Sequence, residues 1–429
     1  MVKPAILTSA IVLLAGYVSA FPTWNEDAHL APLYQSPESE PIKDSYIVVL
    51  KDHVQTDNMR SHCHWVGNLM KRDFLSAEYL DPIAADGITH TYDTPGLKGY
   101  AGTFSESVLE HIRRSPEYLL QKVAYVERDS MVYANEIERS APWGLARISH
   151  RERLTFSTFS KYEYNPDGGE GVKVYVIDTG ININHNDLEG RATWGATFAD
   201  DGDTDGNGHG SHCAGTIAGK KFGVAKKAHL VAVKVLSAQG SGSNKDVIAG
   251  IQYAIDQHNI QAAKADKKFK GSVANMSLGG GKSRALDAIV NAAVGEGIVF
   301  AVAAGNDNRD ACNYSPAAAE DAITVGASTL GDERAYFSNY GKCVDVFAPG
   351  LNIQSIWTGS PNAVNTISGT SMASPHVAGL AAYFLSLEEN TPVAPKVIKD
   401  KILRLATPGK LTNIPAKTPN LLIFNDYTK

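Results

Sequence analysis

Short apolar runs alternate with amphipathic stretches from Val172 onward, and this alternation constrains the fold more than any other feature of the sequence. Four of these runs are predicted to be buried strands, at residues 172–177, 230–235, 272–276 and 298–302. Residues 245–257 and 284–296 are predicted to be helices between them. Strands that alternate with helices form a parallel sheet covered on both faces. The sequence therefore predicts a doubly wound α/β domain, whose ligands bind beyond the carboxyl ends of the strands.

A smaller α+β unit is predicted ahead of this domain, over residues 44–139. Its predicted strands and helices lie at residues 46–50, 59–78, 97–104, 108–114 and 123–133. A Pro- and acid-rich linker at 21–43 precedes the unit, and the charged residues 135–139 separate it from a domain at 140–429 that includes a C-terminal tail. A polar joint of this kind is a favourable place for a proteolytic cut.

The first 20 residues have the pattern of a secretory signal peptide. Lys3 is followed by an apolar run at 5–15 and then by small residues up to Ala20, after which cleavage is expected. A membrane anchor is the alternative, but about 20 apolar residues are needed to span a bilayer, and this run is shorter. We therefore expect a secretory-pathway protein in an oxidising compartment, with no membrane as a partner.

The composition excludes several other classes of protein. Hydrophobic residues make up 43% of the chain and charged residues 20%, which is typical of a globular protein and not of a disordered one. Acidic residues (46) exceed basic ones (40), and no long Lys/Arg block occurs, so no nucleic acid is expected as a partner. Four cysteines are too few for a disulfide-built scaffold but leave room for one or two bridges.

Three residues of a nucleophilic centre lie at predicted strand ends and helix starts. Asp178 follows the first strand, His209 lies in a glycine-rich turn, and Ser371 begins a helix whose first turn tolerates Pro375. His209 would accept the Ser371 proton and return it to the leaving amine, while Asp178 would fix the imidazole tautomer. Asn306 could donate its amide hydrogen to the developing oxyanion, together with the Ser371 backbone N–H.

Each of these residues also has a purely structural interpretation. An Asp after a strand is often a turn residue, a helical His is often structural, and Ser371 could be a helix N-cap. The chain order Asp, His, Ser is more specific than any one residue, because it is the order found in subtilisin and differs from the orders in chymotrypsin and the α/β-hydrolases.

The chain resembles the subtilisin-type serine endopeptidases of the proteinase K group, and most closely the fungal vacuolar protease B (cerevisin) branch. The matching segments cover nearly all of residues 141–387 and lie at 176–180, 208–216, 275–280, 303–306, 336–341 and 369–376. The resemblance implies a subtilisin-like fold, with Asp178, His209 and Ser371 catalytic and Asn306 in the oxyanion hole.

The resemblance also implies a cleft in which the substrate backbone adds as an extended strand. Its walls and specificity pocket would be formed by Gly240, Ser241, Gly242, Ser277, Leu278, Gly279, Ala304 and Gly305. Small pocket walls suggest a broad preference for large aromatic or aliphatic side chains. Residues 44–139 would be the inhibitory propeptide, which covers the cleft and is then cut off; a substrate-adaptor module is the alternative.

Two further features are implied by the resemblance alone. Asp345, with backbone carbonyls near Glu320 and Ala322, matches a structural calcium site, and no cofactor is expected for catalysis. Cys312 and Cys343 match a bridge found in some bacterial members, so we predict a disulfide between them. Cys213 would then be the free thiol of the mature enzyme.

Other metal-like patterns are rejected. Residues 201–206 begin like an EF-hand loop, but the twelfth position is His212 instead of Glu. His209, His212 and Cys213 have a zinc-like spacing, but a metal there would remove the general base. The cluster at 62–64 lies in the predicted propeptide and is interpreted as a surface feature.

Two sequons occur. Asn275 lies on a predicted cleft strand and should be inaccessible, so Asn313 is the candidate for glycosylation.

The sequence thus predicts a serine endopeptidase made as a zymogen, acting on proteins and peptides through an acyl-enzyme on Ser371, with its own propeptide as inhibitor. An α/β-hydrolase esterase is disfavoured, because residues 369–373 lack the second glycine of the Gly-x-Ser-x-Gly turn that presents the nucleophile in that fold. In addition, no His far downstream of Ser371 follows an acid, as the chain order of that fold requires. A non-enzymatic relative would be expected to have lost a triad member. We expect a monomer, in the vacuole lumen or, alternatively, outside the cell.

Overall fold

A computed structural model describes most of the chain, at residues 30–35, 41–76, 87–94, 97–115, 122–130, 136–264, 266–389 and 391–427. The chain divides into two compact units, one up to Val132 and one from Tyr133 onward. The predicted signal segment lies outside the described residues. Within the described ranges, no helix has both the length and the apolar character needed to cross a membrane.

The first unit is an α+β fold built on a five-stranded sheet. Its strands are β1 (Leu33–Tyr34), β2 (Pro41–Leu50), β3 (Ile88–Thr94), β4 (Leu97–Thr103) and β5 (Val123–Ser130), in the order β1-β5-β2-β4-β3. Its helices are α1 (Thr56–Ser76) and α2 (Glu106–Arg114). Alternate residues of β2, Tyr46, Val48 and Leu50, are buried in its core, as expected for a sheet with one covered face. Both predicted helices are present, whereas β3 was not predicted.

The second unit contains a nine-stranded sheet. Its strands are β8 (Val172–Asp178), β9 (Ala192–Thr197), β10 (His229–Lys234), β11 (Gly271–Met276), β13 (Ile298–Ala303), β15 (Ile323–Ser328), β16 (Val346–Pro349), β19 (Thr407–Pro408) and β20 (Leu421–Leu422). The spatial order is β19-β20-β16-β15-β13-β11-β8-β10-β9, and every neighbouring pair is parallel except β19 with β20. The predicted parallel sheet is therefore present.

The second unit also contains three short antiparallel pairs of strands. They are formed by β6 (Glu136–Arg139) with β7 (Lys161–Tyr164), β12 (Gly280–Gly281) with β14 (Tyr314–Ser315), and β17 (Ile353–Ile356) with β18 (Val364–Ile367). The pairing of β6 matters for the domain boundary. Residues 136–139 belong to the second unit, although the sequence placed the boundary after Arg139.

Helices cover both faces of the sheet and create two cores. They are α3 (Trp143–Ile148), α4 (His209–Ala218), α5 (Asn244–Ala263), α6 (Arg284–Gly295), α7 (Thr370–Leu387) and α8 (Pro395–Leu405). Val174 and Val176 of β8 face the core that contains α4 and α7, whereas Tyr175 and Ile177 face the core that contains α5 and α6. A strand that buries both of its faces is apolar along its whole length, which explains why β8 was recognisable as a continuous run.

The strand order reverses beside β8. The chain places β9 and β10 on one side of β8 and then crosses to β11 on the other side. The carboxyl ends of β8 and β11 therefore border a crevice at a topological switch point, which is where open α/β sheets bind ligands.

Candidate active site

The predicted catalytic residues come together at the carboxyl edge of the sheet. Asp178 is the last residue of β8, His209 is the first residue of α4, and Ser371 is the second residue of α7. Asn306 follows the end of β13 by three residues. His209, Asn306 and Ser371 line one cleft of about 690 Å³, and Asp178 lies behind His209.

Asp178 orients and polarises His209. The imidazole Nδ1 lies 2.7 Å from Asp178 Oδ1, and Asp178 is fully buried while the His209 side chain is 24% exposed. Because a carboxylate only accepts hydrogen bonds, Nδ1 carries the proton and Nε2 keeps its lone pair toward the cleft. Burial lowers the pKa of His209, but the charge and hydrogen bond of Asp178, with a contribution from Asp205, raise it above its ordinary value.

Asp205 holds the turn that presents His209, and sequence reasoning had not assigned it this role. Its Oδ1 accepts the backbone N–H of Gly208 at 2.8 Å, and its Oδ2 accepts the backbone N–H of Ser211 at 2.9 Å. The hydroxyl of Thr179 donates to Asp205 Oδ1 at 2.9 Å. A buried carboxylate among the free N–H groups of a helix start is favourable, and its position just before a glycine-rich helix start was the available signal.

The Ser371 hydroxyl does not contact His209 in this structure. Its Oγ donates instead to the backbone carbonyl of Ser277 at 3.0 Å, and the described residues contain no hydrogen bond between Ser371 and His209. Catalytic hydrogen bonds are often absent or long without substrate and form in the substrate complex. A rotation about the Cα–Cβ bond of Ser371 has to exchange the Ser277 carbonyl for His209 Nε2.

Pro375 explains how the nucleophile is anchored. It is the sixth residue of α7 and so lies in the second turn of the helix, whereas the sequence placed it in the first turn. Proline has no N–H, so the carbonyl of Ser371, four residues earlier, lacks its usual helical donor. That carbonyl accepts the Ser277 hydroxyl at 2.7 Å and the Cys213 thiol at 3.4 Å instead. The strand end at Ser277 is thereby tied to the helix start at Ser371.

The side chain of Asn306 is held by its oxygen. Its Oδ1 accepts the backbone N–H of Thr370 at 2.8 Å and the Thr370 hydroxyl at 2.9 Å. Both hydrogen bonds fix the amide so that its NH₂ end stays free to face the cleft. The backbone N–H of Ser371 lies in the first turn of α7, where N–H groups have no helical acceptor. The two donors predicted for an oxyanion are therefore adjacent.

All eight residues predicted to bind substrate line the cleft. They are Gly240, Ser241, Gly242, Ser277, Leu278, Gly279, Ala304 and Gly305. Gly305 has φ +100°, and a Cβ there would lie 2.4 Å from the Asn339 amide, so only glycine fits this wall. A Cβ on Gly279 would lie 3.1 Å from the Ser315 carbonyl. Gly305 therefore excludes a side chain, whereas a side chain at Gly279 would require the Ser315 carbonyl to shift by a few tenths of an ångström.

Cys213 lies directly beneath the candidate catalytic pair. Within the described residues, Asp178, His209 and Cys213 form a group of possible metal ligands whose ligating atoms lie within 4.8 Å of one another. Burial and the Asp178 charge raise the pKa of the Cys213 thiol well above its ordinary value, so it is not an activated nucleophile. His212 does not join this group, because its Nε2 lies 2.9 Å from the Ile353 carbonyl.

The predicted calcium site does not fit the structure. Lys399 Nζ lies 3.2 Å from Asp345 Oδ1 and donates to the carbonyls of Glu320 at 3.0 Å and Ala322 at 2.6 Å. An ammonium group thus lies among the oxygens that the resemblance assigned to a metal ion. The residues around Asp345, as they are arranged here, therefore do not fit a calcium ion, because the chain's own cation contacts the same oxygens.

The other metal-like patterns are occupied by protein contacts. In the acidic run before the His209 turn, Asp201 Oδ1 lies 3.2 Å from Lys234 Nζ and Asp203 accepts the Thr197 hydroxyl at 2.6 Å. These carboxylates do not share one ion site.

In the first unit, His62 is a core residue instead of the surface feature that was expected. It is fully buried, and its Nε2 lies 3.0 Å from the Tyr100 hydroxyl. His64 is exposed, so the two histidines of this cluster lie in different environments.

The predicted disulfide between Cys312 and Cys343 is present, with its Cα atoms 5.3 Å apart. Of the two sequons, Asn275 is buried and donates to the Ser277 hydroxyl at 2.9 Å, whereas Asn313 is exposed. Asn313 therefore remains the candidate for glycosylation.

Comparison with known proteins identifies the family of the chain. The chain matches two family models, the Subtilase family over residues 169–420 and Peptidase inhibitor I9 over residues 45–135. It is 55% identical to Subtilisin-like serine protease Pen ch 18 of Penicillium rubens, over 98% of this chain and 89% of that protein. It is also 55% identical to Alkaline protease 2 of Aspergillus fumigatus, over 97% of this chain and 88% of that protein.

A solved structure gives the same result. The crystal structure of a cold adapted subtilisin-like serine proteinase superimposes with a TM-score of 0.60 and 45% identity, covering 67% of this chain and 98% of that one. The predictions of a subtilisin-like serine protease and of an inhibitory propeptide are confirmed at this level. The chain is a zymogen that belongs to the subtilase family of serine proteases.

Proposed function

We propose that Asp178, His209, Ser371 and Asn306 are the catalytic residues of this protease, and that it is an endopeptidase of the proteinase K group, near the cerevisin branch. The observation that carries the proposal is the 2.7 Å contact between His209 and buried Asp178, at the edge of a cleft that also contains Ser371 and Asn306. Members of the subtilase family need no cofactor for catalysis.

The arrangement supports acyl transfer from a peptide bond. His209 Nε2 accepts the Ser371 proton as Oγ attacks the carbonyl carbon, and Asp178 stabilises the imidazolium that forms. Asn306 Nδ2 and the Ser371 backbone N–H donate to the oxyanion. His209 then protonates the leaving amine, which leaves the amino-side half of the substrate esterified to Ser371. Water, deprotonated by His209, hydrolyses the ester and restores the Ser371 hydroxyl.

The substrate is expected to bind as an extended strand between residues 240–242 and 277–279. Both segments line the cleft, and glycines in both let a peptide backbone approach closely. The pocket walls at Ala304 and Gly305 carry little or no side chain. We therefore infer a broad preference for large aromatic or aliphatic residues on the amino side of the cut, which a series of peptide anilides varied at that position would measure.

The pairing of β6 changes where we expect the propeptide to be cut from the peptidase unit. Glu138 Oε2 lies 2.8 Å from Lys226 Nζ, with both side chains largely buried, and the Tyr164 hydroxyl donates to Glu136 at 2.8 Å. A backbone paired in a sheet is a poor protease substrate, because it must leave that pairing to enter a cleft. We therefore place the cut upstream of Glu136, so that β6 stays with the peptidase unit. N-terminal sequencing that begins after Arg139 would contradict this.

The remaining parts of the proposal concern the biological setting. A signal segment at residues 1–20 would direct the precursor into the secretory pathway, with the vacuole lumen favoured and the extracellular space as the alternative. We also infer a monomeric mature enzyme and a glycan on exposed Asn313.

The test of the proposed function compares hydrolysis of casein and peptide anilides by wild type, Ser371→Ala and Ser368→Ala. Ser368 lies three residues away and is exposed, so its variant is a matched control. Ser371→Ala should lose activity and, when expressed without other proteases, keep its propeptide, while Ser368→Ala should behave as wild type. A trimmed and active Ser371→Ala protein would refute both the nucleophile and self-processing.

A further inference from the structure

Lys399 binds three oxygens from two separate segments of the peptidase unit. Its Nζ donates to the backbone carbonyls of Glu320 and Ala322, just before β15, and contacts the carboxylate of Asp345, just before β16. Asp345 is itself fixed to β15, since its Oδ2 accepts the Thr324 N–H at 2.8 Å and its own N–H donates to the Thr324 carbonyl at 2.9 Å. The Asp345 carboxylate is therefore held in place by contacts that do not involve Lys399.

The hydrogen-bonding capacity of the ammonium group is filled. A lysine ammonium has three N–H donors and no acceptor, and Lys399 has three oxygen partners at 2.6, 3.0 and 3.2 Å. The charges also balance, because one carboxylate faces one ammonium and the other two acceptors are neutral carbonyls. Lys399 is only 17% exposed and Asp345 24% exposed, so the pair is largely removed from water.

The same oxygens cannot serve a metal ion at the same time. A calcium ion would lie about 2.3–2.6 Å from each oxygen ligand, which is almost the position that Nζ occupies. Two cations at contact distance repel strongly in a partly buried site. Binding of an ion would therefore require Lys399 to leave and its ammonium to find new partners in solvent.

The backbone position of Lys399 makes this contact a structural link. It lies on α8 between Ile398 and Ile402, which are fully buried against the core. Its side chain runs from the C-terminal helix to the loops that precede β15 and β16. Lys396, one turn earlier on α8, is a contrast: it is 81% exposed and pairs with Asp400 on its own helix.

We propose that Lys399 is a built-in cation that takes the place of a divalent metal at Asp345, and that it fastens the C-terminal helix α8 to the sheet. The stability of this region then depends on α8 being present and not on calcium at Asp345. The proposal does not depend on the catalytic assignment, so it can fail or hold independently of the proposed function.

The direct test measures the chemical reactivity of lysine amines in the wild-type enzyme, first inactivated with a serine-directed fluorophosphonate to prevent autolysis. Acetylation by an N-hydroxysuccinimide ester is followed by peptide mass spectrometry, in EGTA and in millimolar CaCl₂. Lys396 should react quickly in both conditions, and Lys399 should react at least tenfold more slowly in both. If CaCl₂ raised the Lys399 rate to that of Lys396, the ion would be displacing the ammonium, and the proposal would be overturned.

A second measurement uses variants and thermal unfolding. Removing one partner of a buried pair is strongly destabilising, so Lys399→Met should lower Tm by roughly 5 °C or more in EGTA. Lys396→Met, which breaks an exposed pair on the same helix, should change Tm by about 1–2 °C at most. An unchanged Tm for Lys399→Met would contradict the structural link. A further contradiction would be Asp345→Asn binding one calcium ion fewer than wild type in calorimetric titration.

Discussion

Replacing Asn306 by alanine tests the oxyanion assignment. The structure fixes the amide through its oxygen, which accepts both the N–H and the hydroxyl of Thr370. The NH₂ end is therefore aimed before substrate arrives and has no need to reorganise during the reaction. Alanine removes this donor and leaves only the Ser371 backbone N–H for the developing negative charge.

The expected loss is large and confined to kcat. Removal of one oxyanion donor from subtilisin costs about 10²–10³-fold in kcat, or roughly 2.7–4 kcal/mol. The KM should barely change, because the donor binds the charged transition state more strongly than the neutral carbonyl. Thr370→Val keeps the backbone contact to Asn306 but removes a hydroxyl that both donates to Asn306 and accepts the backbone N–H of Gly305 at 3.1 Å. Two ordinary hydrogen bonds of about 1 kcal/mol each correspond to a loss of roughly 30-fold in kcat.

Steady-state kinetics on a peptide anilide, with enzyme concentration from active-site titration, separates kcat from KM. Asn306→Asp is a useful companion, because its carboxylate still accepts from Thr370 but cannot donate to an oxyanion. It should be at least as impaired as the alanine variant. An Asn306→Ala enzyme with normal kcat and raised KM would show that this side chain binds substrate and does not stabilise the oxyanion.

Three other variants have distinct expected outcomes. Asp178→Asn should lower kcat about 10⁴-fold. The Asp178 charge raises the pKa of His209, and the neutral imidazole is the active form. In the variant, the acid limb of the plot of kcat/KM against pH should therefore move to lower pH. Cys312→Ser should lower the free energy of unfolding by roughly 3–4 kcal/mol, as measured by urea unfolding of the inactivated enzyme, and an unchanged midpoint would count against the bridge. Cys213→Ser should keep most activity and resist a mercurial that inhibits wild type. Inhibition of wild type should be slow, because the Cys213 thiol is fully buried. A correctly folded but inactive variant would reopen the choice of nucleophile.

The central sheet could be predicted because its strands are buried on both faces. The predicted run at 298–302 became β13 at Ile298–Ala303, and the run at 272–276 became β11 at Gly271–Met276. Five other strands of the same sheet were missed, namely β9, β15, β16, β19 and β20, and two of them show why. Ile323–Ser328 contains a glycine, and Val346–Pro349 has only four residues and ends in proline, so neither forms a run long enough to be recognised.

The positions of the candidate triad were predictable from local motifs, whereas some of its supporting contacts were not. Thr370 contacts Asn306, and the Ser371 carbonyl that Pro375 leaves without a helical donor accepts from Ser277. Both contacts join segments far apart in the chain, and no local spacing reveals them. Asp205, in contrast, accepts backbone N–H groups only three and six residues away, and its place before the glycine-rich turn was a local signal. The contact of Lys399 with Asp345 could not be predicted for the same reason. In the sequence, Lys399 is one of several lysines on an amphipathic helix, and only tertiary packing distinguishes it from Lys396.

The rotamer of Ser371 is a further feature that the sequence could not give. Its hydroxyl has two competing acceptors, the Ser277 carbonyl and His209 Nε2, and the observed one belongs to the backbone. Substrate binding is expected to favour the His209 contact, because the productive hydrogen bond forms in the substrate complex.

The most direct test of the account is covalent labelling of the nucleophile. A fluorophosphonate should react with the mature enzyme in a 1:1 ratio, with activity lost in proportion, and peptide mapping should place the adduct on Ser371. Ser368→Ala should label as wild type does, Asp178→Asn should label far more slowly, and Ser371→Ala should not label. An adduct on any other residue, or full labelling of Ser371→Ala, would contradict the assignment of Ser371 as the residue that forms the acyl-enzyme.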